Sequence, residues 1–189
     1  MDIVDRAIIF ATKAHSGKLR KGSQLPYIVH PLEALAIVAT ITNDRELMAA
    51  AALHDVVEDT RYETYEIRHE FGDRVADLVD SETSRDIEGV SHVDSWHQRK
   101  QIAVDRLAAA SRDSQIVALG DKLSNMRAMA INYHQVGEKL WQRFNVKDPA
   151  CHAWYYRQLV KSLAPLSDTD AYQEFARLVD QVFPADKYQ

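Results

Sequence analysis

The sequence predicts an all-α protein, on three observations. Apolar residues recur at three- and four-residue intervals along almost all of its 189 residues, the spacing that gathers side chains on one face of a helix. No stretch alternates apolar and polar residues convincingly, apart from the short piece Tyr27 to Val29. Six glycines and five prolines amount to about half the usual combined share, too little turn punctuation for a sheet of many short strands.

The helical stripes run in order. Ile3, Ala7, Phe10 and Ala14 form the first; Leu32, Leu35, Ala36 and Ala39 the second; Leu47, Ala50, Ala51 and His54 the third. Pro31, directly after His30, suits a first helical position, where its missing N–H costs nothing. Thr64 to Phe71 reads as a short helix closed by Gly72, and Arg74 to Ser81 as its successor. A helix over Ser95 to Ala110 opens with Ser95-Trp96-His97-Gln98, which fits a capping box. Ser114 to Tyr133, Ala150 to Leu163 and Thr169 to Phe183 complete the set. Two stretches interrupt the helices, Ser16 to Val29 and Glu82 to Asp94.

With 46% hydrophobic and 27% charged residues the chain has enough apolar surface for a proper core, and no repeat or Pro-rich linker divides it, so it is read as one domain, 1–189. A single cysteine, Cys151, excludes an internal disulfide and any multi-thiolate metal site within one chain. The start, MDIVDRA, does not read as a secretory signal. The longest apolar stretches, Ala34 to Ile41 and Met48 to Leu53, fall far short of the ~20 residues a bilayer demands. The expectation is a cytoplasmic protein without a membrane partner. Its net charge of −5 lacks the basic footprint of a nucleic-acid binder. Oligomeric state is not legible.

That net charge hides an asymmetry. Between residues 6 and 32 lie Arg6, Lys13, Lys18, Arg20 and Lys21 and no acid. Two readings are open: a binding segment for a compact polyanion, or a solvated helix end and loop.

The segment AALHDVVEDT, residues 51–60, concentrates four ionisable groups beside Leu53, Val56 and Val57. On a continuous helix His54 and Glu58 share one face, and Asp55 and Asp59 another. Such groups against a core are costly unless they are paired or hold a cation. Imidazole and carboxylate suit a first-row divalent ion, and His30 and Asp121 could supply the remaining ligands. Each also has a plain structural reading, as a hydrogen-bonded histidine and a solvent-facing acid.

His30, then His54-Asp55, then Asp121 resembles the His…His-Asp…Asp signature of HD-domain metal phosphohydrolases. The strings LRKGSQLPYIVHPLEA, AALHDVVEDT, FGDRVADLV and VALGDKLSNMRA are similar to the hydrolase domain of the Rel/Spo alarmone enzymes, which remove the 3′-pyrophosphate from (p)ppGpp. In length the chain resembles the stand-alone small alarmone hydrolases. Gly120 and Ser124 stand where long relatives often carry Ala and His, and SETSR replaces a common Gly-Val-Thr stretch.

The resemblance implies a compact HD-type helical fold, a core over about 1–133 closed by a helical tail over about 134–189. It further implies one Mn²⁺ per chain held by His30, His54, Asp55 and Asp121 between core helices, with Glu58 and Asp59 orienting and deprotonating the attacking water. Arg20 and Lys21 match a basic pair at the mouth of the site, and Asn125 a residue beside ribose and phosphate. Lys100 and Tyr155, with Tyr156 and His152 nearby, are candidate substrate contacts or plain core. The implied reaction turns ppGpp into GDP and pyrophosphate. Two other functions stay open: an HD-domain phosphatase for another nucleotide, and a module that binds alarmone without hydrolysing it.

Overall fold

The computed structural model describes residues 1–83, 91 and 95–188. Its α-helices are α1 (Ile3–Ala14), α2 (Val29–Ile41), α3 (Arg45–Leu53), α4 (Val56–Asp59), α5 (Thr64–Phe71), α6 (Asp73–Glu82), α7 (Trp96–Ala108), α8 (Arg112–Val136), α9 (Pro149–Ser162) and α10 (Asp170–Val182). Tight 3₁₀ turns follow α8 (Gly137–Arg143) and α9 (Ala164–Leu166). No strand occurs among the described residues, so the all-α expectation holds. None of these helices is long and apolar enough to cross a membrane.

The chain gathers into two units, Met1–Thr83 with Ser111–Ser124, and Ser84–Ala110 with Asn125–Gln189. The first is organised around α3. Asp44 caps this helix, its carboxylate accepting the Glu46 N–H at 2.9 Å. Ala49, Ala50, Ala51, Ala52 and Leu53 are wholly buried, and α1, α2 and α6 pack against the helix. Four successive alanines keep no bulky side chain between α3 and its neighbours, so the polar residues at its C-terminal end arrive deep in the unit. On α8, Gly120 lies against α2: a Cβ there would stand 2.8 Å from the Ala34 carbonyl oxygen and 2.9 Å from Val38 Cγ2. Only a glycine lets these two helices approach so closely.

The second unit packs α9 against α7 and α10 around Trp141, Leu159, Leu163, Leu166, Phe175 and Phe183. Trp141 stacks on His152 (5.6 Å between centroids) and on Phe183 (5.4 Å).

Four local expectations change. Tyr27 to Val29 is no strand: an isolated bridge pairs Leu19 with Pro26, and Pro26 has no N–H with which to extend it, while Val29 already opens α2. Pro31 is therefore the third helical residue, still among the positions without an intrahelical N–H partner. Ser95 forms no capping box, because its hydroxyl donates to the Ser91 carbonyl at 2.7 Å; the box stands instead at Glu63 and Glu66 before α5. The helix expected through His54 breaks there, α3 ending at Leu53 and α4 starting at Val56. The interruption expected over 82–94 falls largely outside the described residues.

Candidate metal centre

The break after α3 builds the site. His54 Nδ1 lies 2.8 Å from the Ala51 carbonyl oxygen, so the ring satisfies a carbonyl at the helix end and turns Nε2 the other way. Asp55 is the next residue, His30 the second residue of α2, and Asp121 follows Gly120 on α8. His30 Nε2 and His54 Nε2 are 3.2 Å apart. Asp121 Oδ1 stands 3.1 Å from the first and 3.6 Å from the second, Asp55 Oδ2 3.4 and 3.1 Å. His30, His54 and Asp121 are buried.

Those separations suit a single ion: with bonds of about 2.1 Å, neighbouring ligand atoms stand ~3.0 Å apart in an octahedron and ~3.4 Å in a tetrahedron. Hydrogen bonding prepares the imidazoles for it. A carbonyl only accepts, so His54 carries its proton on Nδ1. The Ser124 hydroxyl donates to Glu33 Oε2 (2.7 Å) and therefore accepts from His30 Nδ1 (2.8 Å). Both Nε2 atoms then present lone pairs to the same point, beside two carboxylate oxygens. Such a cluster requires a positive charge, and two imidazoles with two carboxylates are a donor set for a first-row divalent cation.

The titration of the protein without an ion expresses the same demand. Burial opposes charge on His54, yet the Asp55 and Asp121 carboxylates raise its pKa well above the ordinary value. Asp55 and Asp121 are held well below theirs against the effect of burial, the former chiefly by His54, the latter chiefly by Lys122 with His30 and His54.

Further residues of the first unit surround the cluster. The Tyr27 hydroxyl donates to Asp55 Oδ2 at 2.7 Å, and burial with the Asp55 and Asp59 carboxylates pushes its pKa far up. The Arg20 guanidinium lies over the Tyr27 ring, 5.6 Å from its centroid, which draws the basic loop toward Asp55. The His15 ring lies against the same tyrosine ring, tilted by 33° with 4.8 Å between centroids; it is buried, and among the described residues neither of its ring nitrogens has a hydrogen-bond partner. Glu58 and Asp59 occupy α4, Glu58 exposed and Asp59 half-buried, and the Asp59 N–H still bonds the Asp55 carbonyl at 2.9 Å. Lys21 is exposed at the tip of the loop.

In the second unit the Lys100 ammonium sits 4.6 Å over the Tyr155 ring, joining two of the candidate substrate residues. His152 is engaged by the Val146 carbonyl at 2.8 Å and by Trp141, and burial pushes its pKa down, so it belongs to the core. Tyr156 likewise stacks on Phe183. Asn125 lies on α8 four residues after Asp121.

Tyr27, Ser124, Lys122 and His15 were not among the candidate site residues. For His15 a signal exists: it continues the four-residue spacing of the buried Ala7 and Ala11 and so had to end inside.

The sequence pattern of the HD domain matches residues 7–146, which include all four clustered residues. The chain belongs to the HD-domain family. Among relatives of this HD-domain protein, guanosine-3′,5′-bis(diphosphate) 3′-pyrophosphohydrolase of Haemophilus influenzae is 36% identical over 129 residues, 64% of this chain and 18% of that protein. A probable GTP pyrophosphokinase of Mycobacterium leprae is 33% identical over 187 residues, 95% of this chain and 23% of that one. The chain thus spans about a fifth of the length of these relatives. Two solved structures share the fold. A metazoan ortholog of SpoT, described as hydrolyzing ppGpp, superposes with a TM-score of 0.73 at 21% identity over 100% of this chain and 98% of that one. The protein lmo0812 of Listeria monocytogenes EGD-e gives 0.71 at 28% identity, over 84% of this chain and 96% of its own.

Proposed function

We propose that this HD-domain protein is a metal-dependent hydrolase that removes the 3′-pyrophosphate from guanosine tetraphosphate or pentaphosphate, giving GDP or GTP and pyrophosphate. The observation that carries this reading is the His30–His54–Asp55–Asp121 cluster, in a segment that aligns with enzymes named for that hydrolysis. Some relatives are named instead for pyrophosphokinase activity. The buried imidazole-carboxylate cluster favours hydrolysis, since it is the donor set of a hydrolytic metal centre.

The ion assigned to the four ligands is Mn²⁺, which supplies Lewis acidity at the phosphorus under attack. The protein's own groups do the rest. Glu58 and Asp59, on the single turn after Asp55, orient the attacking water and take its proton. Tyr27 fixes Asp55 by its hydrogen bond. Arg20 and Lys21 offset the charge of the phosphates, with Asn125, Lys100 and Tyr155 as further substrate contacts. Water adds to the phosphorus attached to O3′, the P–O3′ bond breaks, and pyrophosphate leaves intact. The partner is a nucleotide; neither nucleic acid nor membrane is assigned a role.

The deciding experiment is phosphorus NMR of Mn²⁺-loaded protein with guanosine 3′,5′-bis(diphosphate). GDP and pyrophosphate appear together if the reading is right. Orthophosphate as first product, or turnover of nucleoside monophosphates alone, identifies a phosphatase; tight binding without turnover identifies a sensor.

A further inference from the structure

The stretch SETSR, which departs from the pattern the chain otherwise resembles, places an acid beside the metal centre. Glu82 is the last residue of α6, and its side chain is only 8% exposed. Its carboxylate lies 3.6 Å from Lys122 Nζ, whose side chain is 20% exposed and whose ammonium also contacts Asp121 Oδ2. The other oxygen of that aspartate, Oδ1, is the one that faces His30 and His54. A line of contacts therefore runs from the buried acid through the ammonium to one oxygen of a ligand carboxylate.

Charge explains why both partners are needed. Two neutral imidazoles, two carboxylates and a divalent cation sum to zero, so a lone ammonium beside Asp121 would compete with the ion for the same carboxylate. Glu82 cancels that charge while leaving the ammonium's hydrogen bond in place. Outer groups of this kind commonly govern how well a ligand carboxylate serves its metal.

We propose that Glu82 and Lys122 are a positioning pair for Asp121: Lys122 holds Oδ2 so that Oδ1 faces the imidazoles, and Glu82 neutralises Lys122 so that its charge does not oppose the cation. The proposal rests on the reading of the cluster as a metal centre, but not on the substrate.

The test is Mn²⁺ affinity of the chelator-stripped full chain, by competition with a colorimetric chelator, with circular dichroism as the folding control. Glu82→Gln removes the Glu82 negative charge from beside the lysine and weakens Mn²⁺ binding about tenfold, the lower end of outer-group effects. Glu82→Asp keeps the charge and stays within about threefold of the parent. Replacing both partners, Glu82→Val with Lys122→Met, removes the opposing charge but also the hold on Oδ2, so its affinity lies between that of Glu82→Gln and that of the parent. Parent-like affinity in Glu82→Gln overturns the proposal, as does a double variant no better than Glu82→Gln, or a Glu82→Asp variant that falls equally far. No nucleotide enters the measurement, so a failure of the hydrolase reading is seen separately, in the NMR assay.

Discussion

Gly120 lies so close to Ala34 that a Cβ on the glycine would stand 2.8 Å from the alanine's carbonyl oxygen. The approach brings α8 against α2, the helices that carry Asp121 and His30, whose ligand atoms are 3.1 Å apart. Gly120→Ala therefore tests backbone spacing and metal site together. In a helix interior Ala should stabilise by up to ~1 kcal/mol over Gly, whereas overpacking a tight contact costs about 1–3 kcal/mol. A lowered melting temperature and weaker Mn²⁺ binding are expected, by thermal denaturation and metal titration. A stabilised variant would mean that the two helices have room.

Ser124 accepts from His30 Nδ1 and donates to Glu33, fixing the tautomer that offers Nε2 to the cluster. Ser124→Ala removes that acceptor and leaves the ring free to turn. Metal affinity should fall about 10- to 100-fold with helicity retained, and Ser124→Thr, which keeps the hydroxyl, should restore most of it. Calorimetric titration of the stripped protein provides the measurement.

These two residues mark the limit of what the sequence discloses. His30, His54-Asp55 and Asp121 are legible because acids and imidazoles on apolar helices are conspicuous and sit in ordered blocks. Helix spans are legible because the apolar stripes are long. What Gly120 and Ser124 do depends on the residues facing them across α2, and that is a tertiary fact absent from local spacing. The same reason hides Tyr27, whose partner Asp55 is 28 positions away. Capping failed at Ser95 because its hydroxyl had a competing carbonyl at Ser91, and succeeded unannounced at Glu63 because a longer acid can fill the same role.

Removing the ion should destabilise the protein. On the proposed assignment, the clustered atoms of His30, His54, Asp55 and Asp121 bind a cation in the folded chain and not in the unfolded one, so added Mn²⁺ raises stability with its free concentration. A chelator should lower the melting temperature, and added Mn²⁺ should restore it. Asp55→Ala should lose both stoichiometric Mn²⁺ and the response to chelator while keeping its helical spectrum. Retention of the ion in that variant would remove Asp55 from the ligand set.

His15 gives the stability a pH dependence of known sign. Burial pushes its pKa below the ordinary value of 6.5, so near and below that value the unfolded chain binds a proton that the folded chain refuses. The corresponding stability is present above about pH 6.5 and is lost as pH falls through it. His15→Phe keeps a ring against Tyr27 and cannot be protonated. Between about pH 7.5 and about pH 5.5 its melting temperature should fall less than that of the parent, which retains His15 alongside the similarly depressed His152. Parallel curves would show that His15 is charged equally in both states.

The basic loop is tested by charge. The Arg20 guanidinium lies over the ring of Tyr27, whose hydroxyl donates to Asp55 of the cluster, and it is proposed to meet the substrate's phosphates there. A cation there attracts phosphates in proportion to their charge, and dissolved salt screens that attraction over a Debye length of about 10 Å at 0.1 M. Arg20→Ala should therefore raise KM for a guanosine tetraphosphate more than for a guanosine diphosphate competitor's inhibition constant, with a smaller change in kcat. Raising the salt concentration should narrow the gap between variant and parent, because the parent has more of this attraction to lose. If the packing of Arg20 on Tyr27 is all that matters, the loss is independent of ligand charge and of salt, and Arg20→Lys, which keeps the charge but not the flat stacking surface, behaves like Arg20→Ala. Retained activity in Arg20→Lys, together with the salt dependence, assigns the loop to phosphate binding.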